Sequence, residues 1–101
     1  MTKRFPEEGK YGLSLQLRGS GVSIPSNIAE GYGRKGRQEY IYYLYVAYGS
    51  YCELETQLMI AVDLGYVDGK QKGRMLGLGK EVERMLKVLI ASLQKKLPSN
   101  P

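Results

Sequence analysis

The sequence predicts an all-α fold, an antiparallel up-down bundle of long helices within a single domain over residues 1–101. Apolar or small residues recur at alternating steps of three and four through the middle of the chain and again through its last third, which is the spacing of helices packed in a bundle. No stretch alternates between apolar and polar residues over enough positions for a half-buried strand. The chain has 101 residues, 43% of them hydrophobic, which suits one small globular domain.

The first third predicts the least regular helix. Apolar residues from Leu13 to Ile28 fall at helical spacing. Pro25 is expected to kink this helix or to split it after Ser23, because proline lacks the backbone N–H and its ring clashes with the preceding turn.

The middle of the chain predicts a longer second helix. It is expected to begin near Arg37 or Gln38 and to end at Gly65, because glycine suits a helix C-terminus. The predicted buried positions of this helix are Tyr40, Leu44, Ala47, Tyr51, Leu54, Leu58, Ala61 and Gly65.

The last third predicts a helix with a weak start. Gly73, Gly77 and Gly79 each cost up to about 1 kcal/mol in a helix. The firm helix is therefore expected from about Lys80 to Lys96, after a connecting turn at residues 68–73, and residues 98–101 are expected to form a loose tail. The predicted buried positions of this helix are Met75, Leu78, Val82, Met85, Leu86, Leu89, Leu93 and Leu97.

Three glycines between the first two predicted helices have the spacing of a dinucleotide-binding turn. Gly31, Gly33 and Gly36 stand in the order G-x-G-x-x-G. That turn requires a strand before it and a parallel strand after the helix that follows, and here it lies between helices. We interpret it as a reversal between antiparallel helices, in which Gly31 and Gly33 supply positive φ angles.

Missing residue types exclude several kinds of site. The sequence has no histidine, which removes Ser-His and Cys-His catalysis and the usual zinc sites. The one cysteine, Cys52, cannot form an intramolecular disulfide, which fits a reducing cytoplasm. No segment is apolar enough to span a membrane, and no signal peptide is expected. We therefore expect no enzyme, metal, cofactor, small-molecule substrate or membrane partner.

The formal net charge of +5 is unevenly distributed. Residues 1–37 carry seven Lys/Arg and three Glu, residues 38–67 carry four acids and no base, and residues 68–101 carry eight Lys/Arg and three acids. A surplus of cations suits an anionic partner such as RNA or DNA. The predicted nucleic-acid-binding residues are Arg18, Arg34, Lys35, Arg37, Lys70, Lys72 and Arg74, with Lys3, Arg4, Lys10, Lys95 and Lys96 as further basic candidates.

Six of the nine tyrosines crowd the start of the second predicted helix, where a second apolar stripe follows at helical spacing. A helix with two apolar stripes has more to bury than a lone bundle offers. We interpret the stripe as a subunit interface, because tyrosine suits contacts that are part buried and part wet. Packing under the first helix and base stacking on single-stranded nucleic acid are the alternatives. The predicted interface residues are Ile41, Tyr45, Tyr48 and Cys52.

A family resemblance covers nearly the whole chain. The stretch VSIPSNIAEGYGR, residues 22–34, followed by EYIYYLYVAYGSYCELETQLMIAVDLGYV, residues 39–67, resembles the four-helix bundle family of the ribosomal S23 or 23S rRNA intervening-sequence proteins. That family includes the accessory variability determinant of diversity-generating retroelements, a basic pentameric barrel that binds nucleic acid and a reverse transcriptase. The resemblance thus implies a homo-oligomer, a pentamer by analogy, with RNA or DNA and a reverse transcriptase as partners.

The chain departs from the family pattern at three places. Family members usually carry a helix before the F-P element, which here is Phe5 and Pro6. The resemblance therefore implies three of four helices, with the first lying upstream of Met1 or supplied by another subunit. The family also tends to have a second basic residue after Arg18 and an arginine where this chain has Tyr48.

The polar residues within this signature have two interpretations. The first is a structural hydrogen-bond network that fixes helix register, and the second is a carboxylate site for acid–base chemistry or a metal, which no E-x-x-H pair supports. Glu53 is expected to be partly shielded and to pair with Arg18 or Arg34, because an unpaired buried charge is costly. The predicted network comprises Ser23, Asn27, Glu30, Glu53 and Gln57, with Arg34 and Ser50.

Two functions from different classes follow. The first is a non-enzymatic oligomeric nucleic-acid-binding accessory protein whose basic surface contacts phosphates, mostly independently of sequence and with a steep dependence on salt. The second is a structural or protein-interaction bundle whose basicity only aids solubility. Clustering of the surplus cations on one face, or their placement along a channel, distinguishes the two.

Overall fold

The computed structural model describes the backbone of residues 5–96 and the side chains of residues 8–96. Within that range the chain forms three helices and no strand: α1 is Phe5–Tyr32, α2 is Arg37–Asp63 and α3 is Gly69–Lys95. The all-α prediction is confirmed, as are the bounds of the second helix. The predicted phosphate contacts of Lys3 and Arg4, the burial of Leu97 and the tail at residues 98–101 lie outside the described residues.

The central helix of the bundle is α2. Both α1 and α3 pack against it, whereas the described backbones of α1 and α3 do not approach each other closely. Leu44 and Ala47 of α2 are completely buried, and Tyr51 is nearly so. Ile24 of α1 and Leu86 of α3 both belong to the same core cluster as these α2 residues. The three-and-four spacing thus identifies most of the buried positions of α2. Among the predicted positions, Gly65 is exposed and Tyr40 and Leu54 are only half-buried, while the spacing missed the buried Ile41 and Ser50.

Of the two outcomes expected at Pro25, a kink or a split, the split does not occur. α1 continues through the proline as one element of 28 residues. Ile24 and Ile28, on either side of the proline, both pack into the core, and Asn27 Nδ2 donates to the Ser23 carbonyl oxygen at 2.8 Å. Packing and this extra hydrogen bond offset a local cost of about 3 kcal/mol for an interior proline.

The third helix begins eleven residues earlier than predicted, at Gly69 rather than Lys80. Asp68 and Gln71 form a capping box: the Gln71 N–H donates to Asp68 Oδ1 at 2.7 Å, and the Asp68 N–H donates to Gln71 Oε1 at 3.1 Å. Two backbone donors that a helix start leaves unpaired are thereby satisfied. The connecting turn is correspondingly short, and the glycines assigned to it or to a frayed start are helical.

Part of the buried face predicted for α3 is also wrong. Leu86 and Ile90 are buried against α2, but Leu78 and Met85 are 64% and 62% exposed. The side of α3 that carries Gly79 faces α2 instead. The ring of Tyr51 lies so close to Gly79 that a Cβ added to this residue would be 3.0 Å from the ring. The glycine is therefore part of the α2–α3 contact.

The positive φ angle expected in the first turn occurs in the second. Among the described residues, Gly65 has a φ of 78°, and neither Gly31 nor Gly33 has a positive φ. Gly31 is instead a site of close helix approach, because a Cβ there would lie 2.7 Å from the Tyr43 Cβ. The expected role of Gly31 and Gly33 is thus corrected, while the C-terminal stop at Gly65 is confirmed.

Candidate nucleic-acid interface

Two basic segments that are far apart in sequence meet at one end of the bundle. Arg37 Nη1 donates to the Lys96 carbonyl oxygen at 2.9 Å. This bond joins the α1–α2 turn to the C-terminus of α3, whose last carbonyls carry the negative end of the helix dipole. We call this cluster the basic end, and it comprises the exposed residues Arg34, Lys35, Arg37, Lys95 and Lys96.

Arg34 is the most constrained residue of the basic end. Its Nη2 donates to Glu30 Oε2 at 2.6 Å and to the Tyr43 hydroxyl at 2.9 Å, and the guanidinium lies 5.1 Å from the centre of the Tyr43 ring. The hydrogen bond to Glu30 is the main cause that raises the pKa of Arg34. Glu30 offsets one charge, so the positive surplus of the basic end comes from Arg37 and the lysines.

Exposed aromatic rings lie beside these cations. Tyr32, the last residue of α1, is 76% exposed and meets the Tyr40 ring edge-on at 5.8 Å. Tyr42 is 62% exposed and meets the Tyr43 ring edge-on at 5.2 Å. Each exposed ring is thus held by a neighbouring ring. Cations next to exposed aromatic rings are the combination that single-stranded nucleic acids bind, through phosphates and stacked bases respectively.

The other predicted nucleic-acid-binding residues do not join the basic end within one chain. Lys70, Lys72 and Arg74 lie on the first turns of α3, at the opposite end of the bundle. The 27 residues of α2 separate the two ends by about 40 Å at 1.5 Å per residue. Arg18 is exposed near the middle of α1. The single chain therefore has two basic ends rather than one basic face.

The signature's polar residues divide into two groups. Between α1 and α2, Ser23 Oγ and Ser50 Oγ are 2.7 Å apart, and Asn27 Nδ2 donates to Ser23 Oγ at 2.9 Å. One turn earlier on α1, Ser20 Oγ donates to Gln57 Oε1 at 3.0 Å. The Ser23–Ser50 and Ser20–Gln57 bonds cross-link the two helices, and Ser20 is a member that the sequence did not predict.

The remaining two predicted network residues lie outside these bonds. Glu30 binds Arg34 at the basic end. Glu53 is exposed, and none of the described ion pairs joins it to Arg18 or Arg34. The expected shielding of Glu53 is therefore incorrect, because the residue is exposed.

The predicted interface stripe is not one exposed surface. Ile41 is 8% exposed and belongs to the core of the single chain. Tyr48 is partly buried and donates to Glu83 Oε2 at 3.3 Å. The Tyr45 hydroxyl accepts a hydrogen bond from Gln94 Nε2 at 3.1 Å, and its side chain is half exposed, whereas Cys52 is exposed. Ile41 and Tyr48 thus have contacts within the single chain, and the partners of Tyr48 lie on α3 and not on the first helix.

Polar contacts join α2 to α3 around Glu83. Lys80 and Lys87 flank its carboxylate at 3.5 and 3.3 Å. Burial pushes the pKa of Glu83 up, but the hydrogen bond from Lys87 and the charges of both lysines outweigh it, so the pKa is lowered. Nearby, burial and the adjacent Glu55 raise the pKa of Tyr51 to about 12. The Tyr51 hydroxyl donates to Glu55 Oε2 at 3.2 Å. The charged groups and tyrosine hydroxyls of this cluster are therefore bonded to one another within the chain.

Neither a metal centre nor a membrane span is found in the part of the chain that the structure describes. No group of three or more acidic or thiol side chains within residues 8–96 is placed to hold a metal ion. None of the three described helices contains an apolar stretch of membrane-spanning length.

Residues 1–88 match the family described as 23S rRNA-intervening sequence protein. The chain belongs to this family. The match covers all of α1 and α2, the turn that carries Arg34 and Lys35, and most of α3. The resemblance inferred from residues 22–67 is thereby confirmed at the level of the family. No curated protein matches the chain.

The sequence predicted the cations but not their grouping. It also missed the exposed Tyr32 and the support that Tyr43 gives to Arg34. The sequence did contain a signal for this grouping. Tyr32 stands between Gly31 and Gly33 in the first turn, and Lys95 and Lys96 stand at the end of the third predicted helix. In an antiparallel three-helix bundle the first turn and the third C-terminus lie at the same end.

Proposed function

We propose that this chain is a non-enzymatic accessory protein that binds RNA through the basic end. The observation that carries the proposal is the Arg37–Lys96 hydrogen bond, which gathers five exposed cations from two segments. Lys35, Lys95 and Lys96 would contact phosphates, while Arg37 holds the two segments together. The family's description, which refers to 23S rRNA, supports RNA over DNA.

The exposed rings beside the basic end favour an RNA with unpaired bases. Tyr32 and Tyr42 are held edge-on by neighbouring rings, so little conformational entropy is lost when a base stacks on them. A duplex would engage the cations alone. The proposed substrate is therefore a structured RNA with a single-stranded loop or end.

Fluorescence anisotropy with a labelled RNA stem-loop and a matched DNA duplex, titrated at several salt concentrations, tests the proposal. We expect the logarithm of the binding constant to fall linearly with the logarithm of salt concentration, with a slope that counts the neutralised phosphates. Lys35→Glu or Lys95→Glu should lower that slope by about one. Arg18→Glu, the same charge change on an exposed residue of α1, is the matched control.

Two results would contradict this function. If the chain binds no RNA even at low salt, the proposed RNA-binding function is wrong. An Arg18→Glu effect equal to that of Lys35→Glu would show that overall charge, and not the basic end, governs binding. A second function, a protein-interaction bundle, is favoured by a different observation, an open apolar groove lined by residues of α1 and α3.

A further inference from the structure

The side of α1 that faces away from α2 carries an apolar stripe of its own. Tyr11, Leu15 and Val22 are 68%, 48% and 64% exposed. Together with the exposed Arg18 they follow one another at steps of four, three and four, which is heptad spacing. We call these four residues the α1 outer stripe. None of them belongs to the core cluster, so the stripe has no packing partner within the described part of the chain.

The side of α2 that faces away from the core has the same spacing. Gly49, Glu53, Thr56 and Ile60 are all exposed and follow one another at steps of four, three and four. We call them the α2 outer stripe. Ile60 is 44% exposed, and nothing lies within 4 Å of a Cβ at Gly49. A further helix can therefore approach α2 closely at this glycine.

The two outer stripes carry opposite charge. Between Glu8 and Glu30 the only charged residues of α1 are Lys10 and Arg18, whereas residues 38–67 include four acids and no base. None of the ion pairs among residues 8–96 includes Arg18 or Glu53, although every cation in the middle of α3 is paired with a glutamate. An uncovered cation on one face and an uncovered carboxylate on the other are electrostatically complementary.

We propose that the α1 outer stripe of one copy of this chain packs antiparallel against the α2 outer stripe of a second copy. Arg18 of one copy then lies opposite Glu53 of the second copy. Counting four residues from this pair in one direction places Val22 opposite Gly49. Counting seven residues in the other direction places Tyr11 opposite Ile60. All members of both stripes are thereby covered.

The antiparallel direction follows from the stripes themselves. A parallel arrangement anchored on the same ion pair would place Val22 opposite Gln57, whose side-chain oxygen already accepts from Ser20 within the chain. It would place Tyr11 opposite the half-buried Val46. Only the antiparallel arrangement matches exposed positions with exposed positions.

A similar register already relates α1 to α2 within one chain. The hydroxyls of Ser23 and Ser50 are 2.7 Å apart, so residue 55 lies at the height of Arg18. Glu53 is two residues further on, about 3 Å along the helix axis at 1.5 Å per residue. Successive copies therefore associate with little displacement along the axis. The contact joins two different faces, so it is heterologous and closes into a ring when the rotation between copies closes. Such a ring is compatible with the pentamer that the family resemblance implies.

This assembly leaves the basic end uncovered. Val22 and Gly49 are the stripe residues nearest to the basic end, and they lie ten and seven residues from Tyr32 and Tyr42, about 15 and 10 Å along the helices. α1 is antiparallel to α2 both within and between copies, so all copies point the same way. Their basic ends would lie on one side of the ring, where one RNA contacts several of them. That consequence rests on the proposed function, whereas the assembly does not.

Sedimentation equilibrium without nucleic acid tests the contact. We expect a discrete multiple of the monomer mass of 11.3 kDa for the unmodified chain. Arg18→Glu and Glu53→Arg should each raise the concentration of half-assembly by roughly tenfold or more, because each places like charges opposite each other. Helicity by circular dichroism should not change, because both residues are exposed. Arg74→Glu, on α3 outside both stripes, should assemble like the unmodified chain.

The charge swap is the decisive variant. A chain with both Arg18→Glu and Glu53→Arg has the net charge of the unmodified chain and should recover its assembly. If the single changes weaken assembly and the double change does not restore it, the proposed pairing is wrong. An unmodified chain that stays monomeric at every concentration would overturn the whole contact. RNA titrations of α1 variants, Arg18→Glu among them, are made below the assembly concentration, so RNA binding and assembly are tested separately.

Cross-linking tests which faces meet and in which direction. Tyr11→Cys and Ile60→Cys chains are prepared in a Cys52→Ser background. A short bismaleimide should cross-link their mixture and neither chain alone. Cross-linking of each chain alone would show that like faces meet and would overturn the heterologous contact. An assembled mixture without cross-links would overturn the antiparallel register.

Discussion

Gly31 and Tyr43 approach so closely that a methyl group on residue 31 would lie 2.7 Å from the Tyr43 Cβ and 3.2 Å from the Tyr40 carbonyl oxygen. This contact brings the end of α1 against the start of α2. It places the Tyr43 ring where Arg34 binds it. Close helix approach at one glycine therefore builds the aromatic side of the basic end.

Gly31→Ala should destabilise the fold by about 1–3 kcal/mol, because backbone and Cβ atoms must move to admit the methyl group. Gly12→Ala is the matched control, since nothing lies within 4 Å of a Cβ at that helical position. The control should be neutral or stabilising by up to about 1 kcal/mol. Chemical denaturation of both variants measures the difference, and equal stabilities would refute the close approach.

The Ser23–Ser50 hydrogen bond can be measured by a double-mutant cycle. Ser50→Ala should lower the free energy of unfolding by about 1 kcal/mol, because Ser23 loses its partner across the helices. Changing both residues to alanine should cost less than the two single changes together, since no unpaired hydroxyl remains. Strict additivity of the three free energies would show that the two hydroxyls do not interact.

Tyr51 should make the fold sensitive to alkaline pH. Its pKa is raised to about 12 in the folded state by burial and by Glu55, against about 10 when unfolded. The folded state then holds a proton that the unfolded state releases, so stability is fully present below pH 10 and falls as pH rises toward 12. Tyr51→Phe should reduce that fall. Denaturation curves at several alkaline pH values measure it, and parallel losses in both proteins would exclude Tyr51 as the cause.

Tyr32 should distinguish single-stranded from double-stranded RNA. Tyr32→Ala is expected to weaken binding of a single-stranded RNA by about 1–3 kcal/mol, the contribution of one stacked base. Duplex binding should be unchanged, because phosphate contacts do not use the ring. Tyr11→Ala, which removes a comparably exposed ring from the other end of α1, is the control. A loss shared equally by both RNAs would indicate altered folding of the turn instead of stacking.

The sequence predicted much of the fold because its strongest signals are local. Alternating steps of three and four predicted the bounds of α2 and most of its buried positions, and Gly65 predicted its end. The start of α3 was predicted too late because three glycines were taken to weaken the helix there. The sequence does contain the signal of a capping box, an Asp at position 68 and a Gln at position 71. Tertiary packing reversed the local preference at Pro25, where Ile24 and Ile28 hold the helix together.

The candidate site was predicted only as a set of residue types. Arg34, Lys35 and Arg37 are neighbours in sequence, so their shared turn could be inferred. Their meeting with Lys96 depends on where α3 ends relative to α2, and the net charge contains no such information. The exposure of Glu53 could not be predicted either, because a residue next to the buried stripe of a helix can face either the core or the solvent.

By itself the sequence determined the helical class, the family, the long central helix and the presence of cations around its first turn. The tertiary structure alone decided which stripe of α3 is buried and which cations lie together. Periodicity specifies the spacing of apolar residues along a helix, and α3 has two stripes with equally good spacing. Only the packing of Tyr51 over Gly79 selects between them, and that choice leaves Leu78 and Met85 facing the open groove.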